Sequence, residues 1–325
     1  MIKYSFLFLS LLFIFVSCSD NSDNKSELNF EDQGRSVPDF NADSAYKFIQ
    51  KQVEFGPRNP GSKGHQQTKE YLLNKLRSYA GDRAVYAQEF TTVGYEGDTL
   101  ALTNIVAAFN LQSTDRILLC AHWDTRPRAD EDSVNLGEPI LGADDGASGV
   151  GVLLELARLF RKHPPPIGVD IVLFDGEDYG KEGDLANYFL GSRYWSANPP
   201  VKGYTPRFGI LLDMVGGENA LFPKEQYSMA YAPALVEGIW SVAAEEGFEE
   251  LFINKKGNYI SDDHVIVNKL AHIPTIDIIR HNPSAKGAGF APYWHTHGDN
   301  MQIISKETLN GVGSVLTELI YNRIE

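Results

Sequence analysis

The stretch from ILLCA (117–121) through ASGVGVLLELARLFRK (147–162) to VDIVLF (169–174) decides the fold. Ile117–Ala121 is a short apolar run with no polar alternation, as in a strand buried on both faces. Residues 147–162 carry apolar side chains at helical spacing, and Pro164, Pro165 and Pro166 end that helix by withholding N–H donors. Val169–Phe174 is a second buried strand, with Asp170 within it. Strand, helix, strand implies a parallel crossover, hence an α/β protein with a covered sheet.

The pattern extends in both directions. Upstream, Asn41 or Asp43 can cap a helix through Tyr46, Phe48, Ile49 and Val53, PRNPGSKG (57–64) reads as a turn, and 65–79 as an amphipathic helix. Strand-like runs follow near 85–91, 103–109 and 116–121. Downstream, helices are expected over 184–196, 233–246 and 305–323, and strands over 208–212 and 273–279. The expected architecture is one three-layer α/β/α domain, residues 39–325, around a central, mostly parallel mixed sheet.

Ligands of open α/β sheets bind beyond the carboxyl ends of the strands. There the sequence places His122 and Asp124, Asp144 and Asp145, Asp175 with Glu177 and Asp178, Asp213, the run Ser261-Asp262-Asp263-His264, and Trp294-His295-Thr296-His297. Histidines and carboxylates without cysteine suit a hydrolytic-type Zn²⁺ site, with three protein ligands and a fourth position open. Taken singly, an Asp after a strand is commonly a helix cap. Their repetition along one rim favours a metal.

The motifs AHWDT (121–125), GADDGASG (142–149), LFDGEDYG (173–180), LLDMVGG (211–217) and PYWHTHGDN (292–300) resemble the zinc-dependent exopeptidase superfamily from about Phe40 to the C-terminus. Two of its families compete. Resemblance to the dinuclear aminopeptidases would put two zinc ions on His122, Asp145 as bridge, Asp178, Asp213 and His295, with Glu177 as general base. The glutaminyl-peptide cyclotransferases share the fold and bind one zinc. Ser261-Asp262-Asp263-His264, the Trp294-His295-Thr296 triplet, Leu190-Gly191-Ser192-Arg193 and the loop PRNPGS (57–62) resemble that family more closely. This resemblance implies one Zn²⁺ on Asp145, Asp178 and His295, Glu177 as acid/base, Asp213 and Asp262 as an acidic hydrogen-bonding group, and Trp294 as a pocket wall.

Three positions depart from the family pattern. Asp178 stands where Glu is frequent. Gly183 occupies the place, six residues after the acid/base, where animal members have Trp, and Asp277 stands where they have His. The implied substrate is a peptide or protein with an N-terminal Gln. Its α-amine attacks the γ-carboxamide carbon, ammonia leaves, and pyroglutamate forms. Zinc would polarise the γ-carbonyl, and Glu177 would carry the proton from amine to leaving nitrogen. Under the competing reading the same residues serve an aminopeptidase with two metals. A non-catalytic binding protein of the same fold would be expected to lose Glu177 or a ligand, and each of these residues is in place.

The net charge of −14, with no block of Lys or Arg, argues against nucleic acid as a partner. Lys3, the apolar run Phe6–Val16 and Ser17-Cys18 read as a signal peptide (1–17) ending in a lipoprotein-type site. Cys18 is expected to carry lipid, residues 18–38 to form a polar tether, and the protein to be exported to a bacterial cell envelope. Cys120 is then the remaining cysteine, expected in a buried strand.

Overall fold

The computed structural model describes residue 28 and residues 30–181, 183–285 and 287–324. The expected signal segment and Cys18 lie outside the described residues.

Two helices open the fold. α1 (Ala42–Glu54) starts at Asn41, whose side chain accepts the Ser44 N–H at 2.8 Å, and α2 (Lys63–Ala80) starts at Ser62 in the same way. β1 (Val85–Val93) and β2 (Thr99–Phe109) form an antiparallel hairpin, longer than their apolar cores suggest. Then come β3 (Arg116–His122), α3 (Ala147–Lys162), β4 (Gly168–Phe174), α4 (Leu190–Ala197) and β5 (Gly209–Asp213). α5 (Gln226–Tyr231), α6 (Pro233–Glu245), α7 (Asp263–Ile266), β6 (Thr275–Ile279) and α8 (Lys306–Glu318) complete it.

The sheet order is β1-β2-β4-β3-β5-β6. β4, β3, β5 and β6 run parallel, while β2 joins β4 antiparallel. Side chains alternate between two cores. Ile117, Leu119 and Ala121 of β3 face the larger one with α1, α2, α3 and α8, whereas Leu118 and Cys120 face a smaller one with Trp195 of α4. Fully burying each such aliphatic side chain contributes about 1.5–3 kcal/mol. Both faces are thus covered, and the mixed three-layer α/β/α architecture is as expected. The chain leaves β3 for β4 on one side and returns to β5 on the other. The strand order therefore reverses at β3, where a crevice opens.

Several local expectations change. The helix expected over 184–196 divides into a 3-10 turn, Leu185–Asn187, and α4, because Phe189 turns left-handed at φ 61°. The last turn of the closing helix widens into a π-helical segment, Leu319–Arg323. α5 and α7 were not expected; each is short, and each is capped by a buried acid, Glu225 and Asp262. Over its described part the expected tether touches the domain at several points, while Glu31, Asp32, Gly34, Arg35 and Ser36 stay exposed. Leu28, Phe30 and Val37 lie against the larger core, and the Arg35 N–H donates to the Asn322 side chain at 2.8 Å.

Candidate active site

Three strand ends deliver residues to the rim: β3 gives His122, β4 leads into Glu177 and Asp178, and β5 ends in Asp213. Asp145 instead sits in the loop before α3, Asp262 caps α7, and His295 lies in a loop. The Asp145 loop is fixed from three sides. Asp299 accepts the N–H groups of Asp144 and Asp145 at 2.7 and 3.1 Å. The Arg58 guanidinium donates to the carbonyls of Trp123, Leu141 and Gly142. Gly146 turns at φ 97°, with the Asp124 carbonyl 2.5 Å from where a Cβ would stand, so any side chain there would displace the loop.

Two groups of three donors result, within each of which the ligand atoms lie within 4.8 Å of one another: Asp145, Asp178 and His295, and His122, Asp145 and Asp213. Asp145 belongs to both. His295 adopts a left-handed backbone (φ 55°) that points Nε2 at Asp178 Oδ1 (3.4 Å) and Asp145 Oδ2 (3.6 Å), with its ring stacked on Trp294. His122 Nε2 stands 3.1 Å from Asp145 Oδ1 and 3.2 Å from Asp213 Oδ1. The first group fits a zinc ion: Asp178 Oδ2 is buried without a hydrogen-bond partner, and an unpaired carboxylate oxygen among two further hard donors suits a cation.

Electrostatics divides the site. Burial pushes the Asp178 carboxyl up, but His295 and Arg126 outweigh it and hold Asp178 well below the usual carboxylate range. Glu177 goes the other way. Burial, reinforced by Asp178, Asp262 and Asp263 against the pull of His122, raises it well above an ordinary Glu. Asp262 is raised by burial and by its neighbours Asp213 and Asp263, and Asp277 by burial and by Asp262. Burial pushes Asp263 up to about 7. A carboxyl that keeps its proton near neutrality can donate as well as accept.

Glu177, Asp178, Asp145, Asp213, Asp262, Trp294 and His295 line one cavity of about 150 Å³, closed by Leu185, Tyr188, Ile260 and Phe290. All the expected site residues except His122 therefore line one cavity, and His122 lies directly beneath, touching Asp145 and Asp213. Asp124 stands 3.5 Å from His122 Nδ1 and accepts the N–H groups of Glu177 and Asp178, so it positions both. Asp175 turns away to His65 and the Thr103 N–H. His264 bonds Glu225 and His297 bonds Asp132. Asp277 lies within β6 rather than at its end, and its N–H donates to the Ser228 hydroxyl. A side chain at Gly183 would meet nothing within 4 Å of its Cβ, and Gly183 is not among the residues lining the cavity, whereas Leu185 and Tyr188 are. Sequence reasoning missed Arg126, Asp130, Glu225 and Asp299. A charged residue in a loop reads as solvated, and only the fold buries it.

The family model for peptidase family M28 matches residues 104–320. Among solved structures, a glutaminyl cyclase of Bacteroides thetaiotaomicron is 47% identical, covers 89% of this chain and 100% of its own, and superposes with a TM-score of 0.85. A leucine aminopeptidase precursor of the same organism is 48% identical, with 89% and 99% coverage and a TM-score of 0.84. The curated glutaminyl-peptide cyclotransferase of Boiga irregularis is 23% identical over 295 residues, covering 80% of this chain and 75% of that one.

Proposed function

The chain belongs to peptidase family M28, and from that premise we propose that it is a zinc-dependent glutaminyl-peptide cyclotransferase. The observation that carries this reading is the junction, in one small cavity, of a three-donor metal group with Glu177 and the carboxyls of Asp213 and Asp262. A cavity of about 150 Å³ is below the few hundred typical of larger ligand sites, and suits one terminal residue.

A bound zinc ion on Asp145, Asp178 and His295 supplies Lewis acidity toward a carbonyl oxygen. The rest is the work of side chains. Glu177 accepts a proton from the substrate α-amine as nitrogen attacks the γ-carboxamide carbon, and returns it as the C–NH₂ bond breaks and ammonia departs. Its raised pKa matches a group that must both take and give a proton. Asp262 and Asp213 accept from the N–H groups of the γ-carboxamide and orient it. Trp294, Phe290 and Ile260 pack on the glutamine stem and exclude water, the competing nucleophile. The substrates are peptides or proteins with N-terminal Gln, and one zinc ion serves each chain.

A paired assay tests this. On a Gln-arylamide, the zinc-loaded protein should release ammonia and form the pyroglutamyl ring. Release of free arylamine without ammonia would refute the reading. It would promote a two-metal aminopeptidase, the reading favoured by the second donor group, His122, Asp145 and Asp213. Zinc per chain, measured by elemental analysis, separates the two independently. We also propose that Cys18 carries lipid and holds the enzyme at the cell envelope. A Cys18→Ala variant should then leave the membrane fraction, and its retention there would refute the anchor.

A further inference from the structure

The loop Arg126–Asp132 lies beneath the metal group. Arg126 is buried, 1% exposed. Its Nη1 donates to Asp178 Oδ1 at 2.7 Å, while Nε and Nη2 form a fork on Asp130 at 2.6 Å each. Asp130 in turn faces Nδ1 of His295 at 3.8 Å, on the ring edge opposite the nitrogen aimed at Asp145 and Asp178. The backbone repeats the connection. The Glu131 N–H donates to the His295 carbonyl at 3.3 Å, and Asp132 accepts both the His297 N–H and its Nδ1. One short loop therefore grips two of the three ligand-bearing segments, which lie far apart in sequence.

We propose that Arg126 and Asp130 act as one brace of the metal centre, Arg126 setting the Asp178 carboxylate and Asp130 setting the ring orientation of His295. The physical reason is geometric. Arg126 Nη1 fixes Oδ1, the oxygen that faces His295 Nε2, while Oδ2 keeps no hydrogen-bond partner. At 3.8 Å the Asp130 carboxylate acts on the distal nitrogen of His295 by its charge rather than through a hydrogen bond, and partners behind a ligating His are worth about 10- to 100-fold in metal affinity. Lys cannot substitute, because a single ammonium cannot span Asp178 and Asp130 in the fixed geometry of the guanidinium fork. Both are positioning residues and touch no reacting atom.

The inference rests on the zinc ligand set given above, and the test separates the two. Zinc affinity of the purified protein is measured by competition with a chromophoric chelator for Asp130→Asn, Arg126→Lys, the double variant and His295→Ala. Melting of the metal-free forms shows that each is folded. Each single brace variant should lose about 10- to 100-fold in affinity, and the double variant little more than the weaker single, as expected of two residues acting as a unit. Native affinity in His295→Ala would overturn the ligand set itself. A large loss in His295→Ala with native affinity in Asp130→Asn and Arg126→Lys would overturn the brace alone. Should Arg126→Lys not fold, Asp130→Asn still decides, since its side chain is 29% exposed and the change is isosteric.

Discussion

On one side of the pocket, Asp178 has Arg126 at 2.7 Å and His295 at 3.4 Å, and the charges of carboxylate and cation offset one another. On the other side Asp262 lines the pocket, with Asp263 and Asp277 buried near it outside the lining, and His264, 3.7 Å from Asp277, already gives its other nitrogen to Glu225. Both walls consist of buried acids, yet the carboxyl of one is held below the usual range and those of the other are pushed above it. The difference is the neighbourhood, since a buried carboxyl ionises only where a cation or strong donors repay its desolvation. The site thus draws a metal-binding group and a group of carboxyls with raised pKa from one residue type, and Glu177 feels the charge of both.

That contrast is open to several attacks. The largest effect is expected at the residue both walls serve: Glu177→Gln should lower kcat by about 10²- to 10⁴-fold with zinc content unchanged. A modest loss would mean that the proton travels by another route. Next, the walls should separate by metal affinity. Asp178→Asn should weaken zinc binding at least as much as the brace variants, by about 10- to 100-fold or more, whereas Asp262→Asn should leave it nearly native. Equal losses from both would erase the distinction and point to a second metal on the acid side.

The pH dependence of the zinc-free protein should carry opposite signs from the two walls. Asp178, whose folded pKa is depressed, contributes stability that is present above its unfolded value near 3.8 and is lost as pH falls below it. Asp263, pushed up to about 7, contributes stability present below about 3.8 and lost as pH rises toward 7. Thermal melts from pH 3 to 8 should therefore fall toward the neutral side, and Asp263→Asn should flatten that fall. A melting temperature rising steadily from pH 4 to 7 would contradict a protonated acid wall. The smallest effect should be Asp277→Asn. It exchanges a buried acid for a neutral amide of the same shape, and should stabilise the zinc-free protein at pH 8 by about 1–2 kcal/mol, read as a higher Tm. A lower Tm would show that Asp277 works as a paired anion.

Much of this could be seen before the fold was known. The apolar runs at 117–121 and 169–174 and the helix at 147–162 reappear with boundaries shifted by at most a residue or two, because long periodic segments are written locally in the chain. The break at Phe189 and the short helices α5 and α7 were not visible. The first needs a left-handed residue with no glycine to signal it, and the other two owe their starts to buried acid caps. Expecting every site residue at a strand end was also too simple. Asp145 depends on the turn at Gly146 and on Asp299, which lies 154 residues away in the chain.

The sequence by itself determined the residue types, their order and the elements that carry them. Those are enough to recognise a covered α/β sheet with His122, Asp145, Glu177, Asp178, Asp213 and His295 beyond its strands. Only the tertiary structure decided which carboxyls are charged and which keep their protons, and which loop charges are structural. Arg126 and Asp130 look like solvated residues in the chain and become a strut, Arg126 buried and Asp130 half-buried, only when that loop meets Asp178 and His295. Ionisation and bracing depend on distance and desolvation, which a linear chain does not specify until distant segments meet.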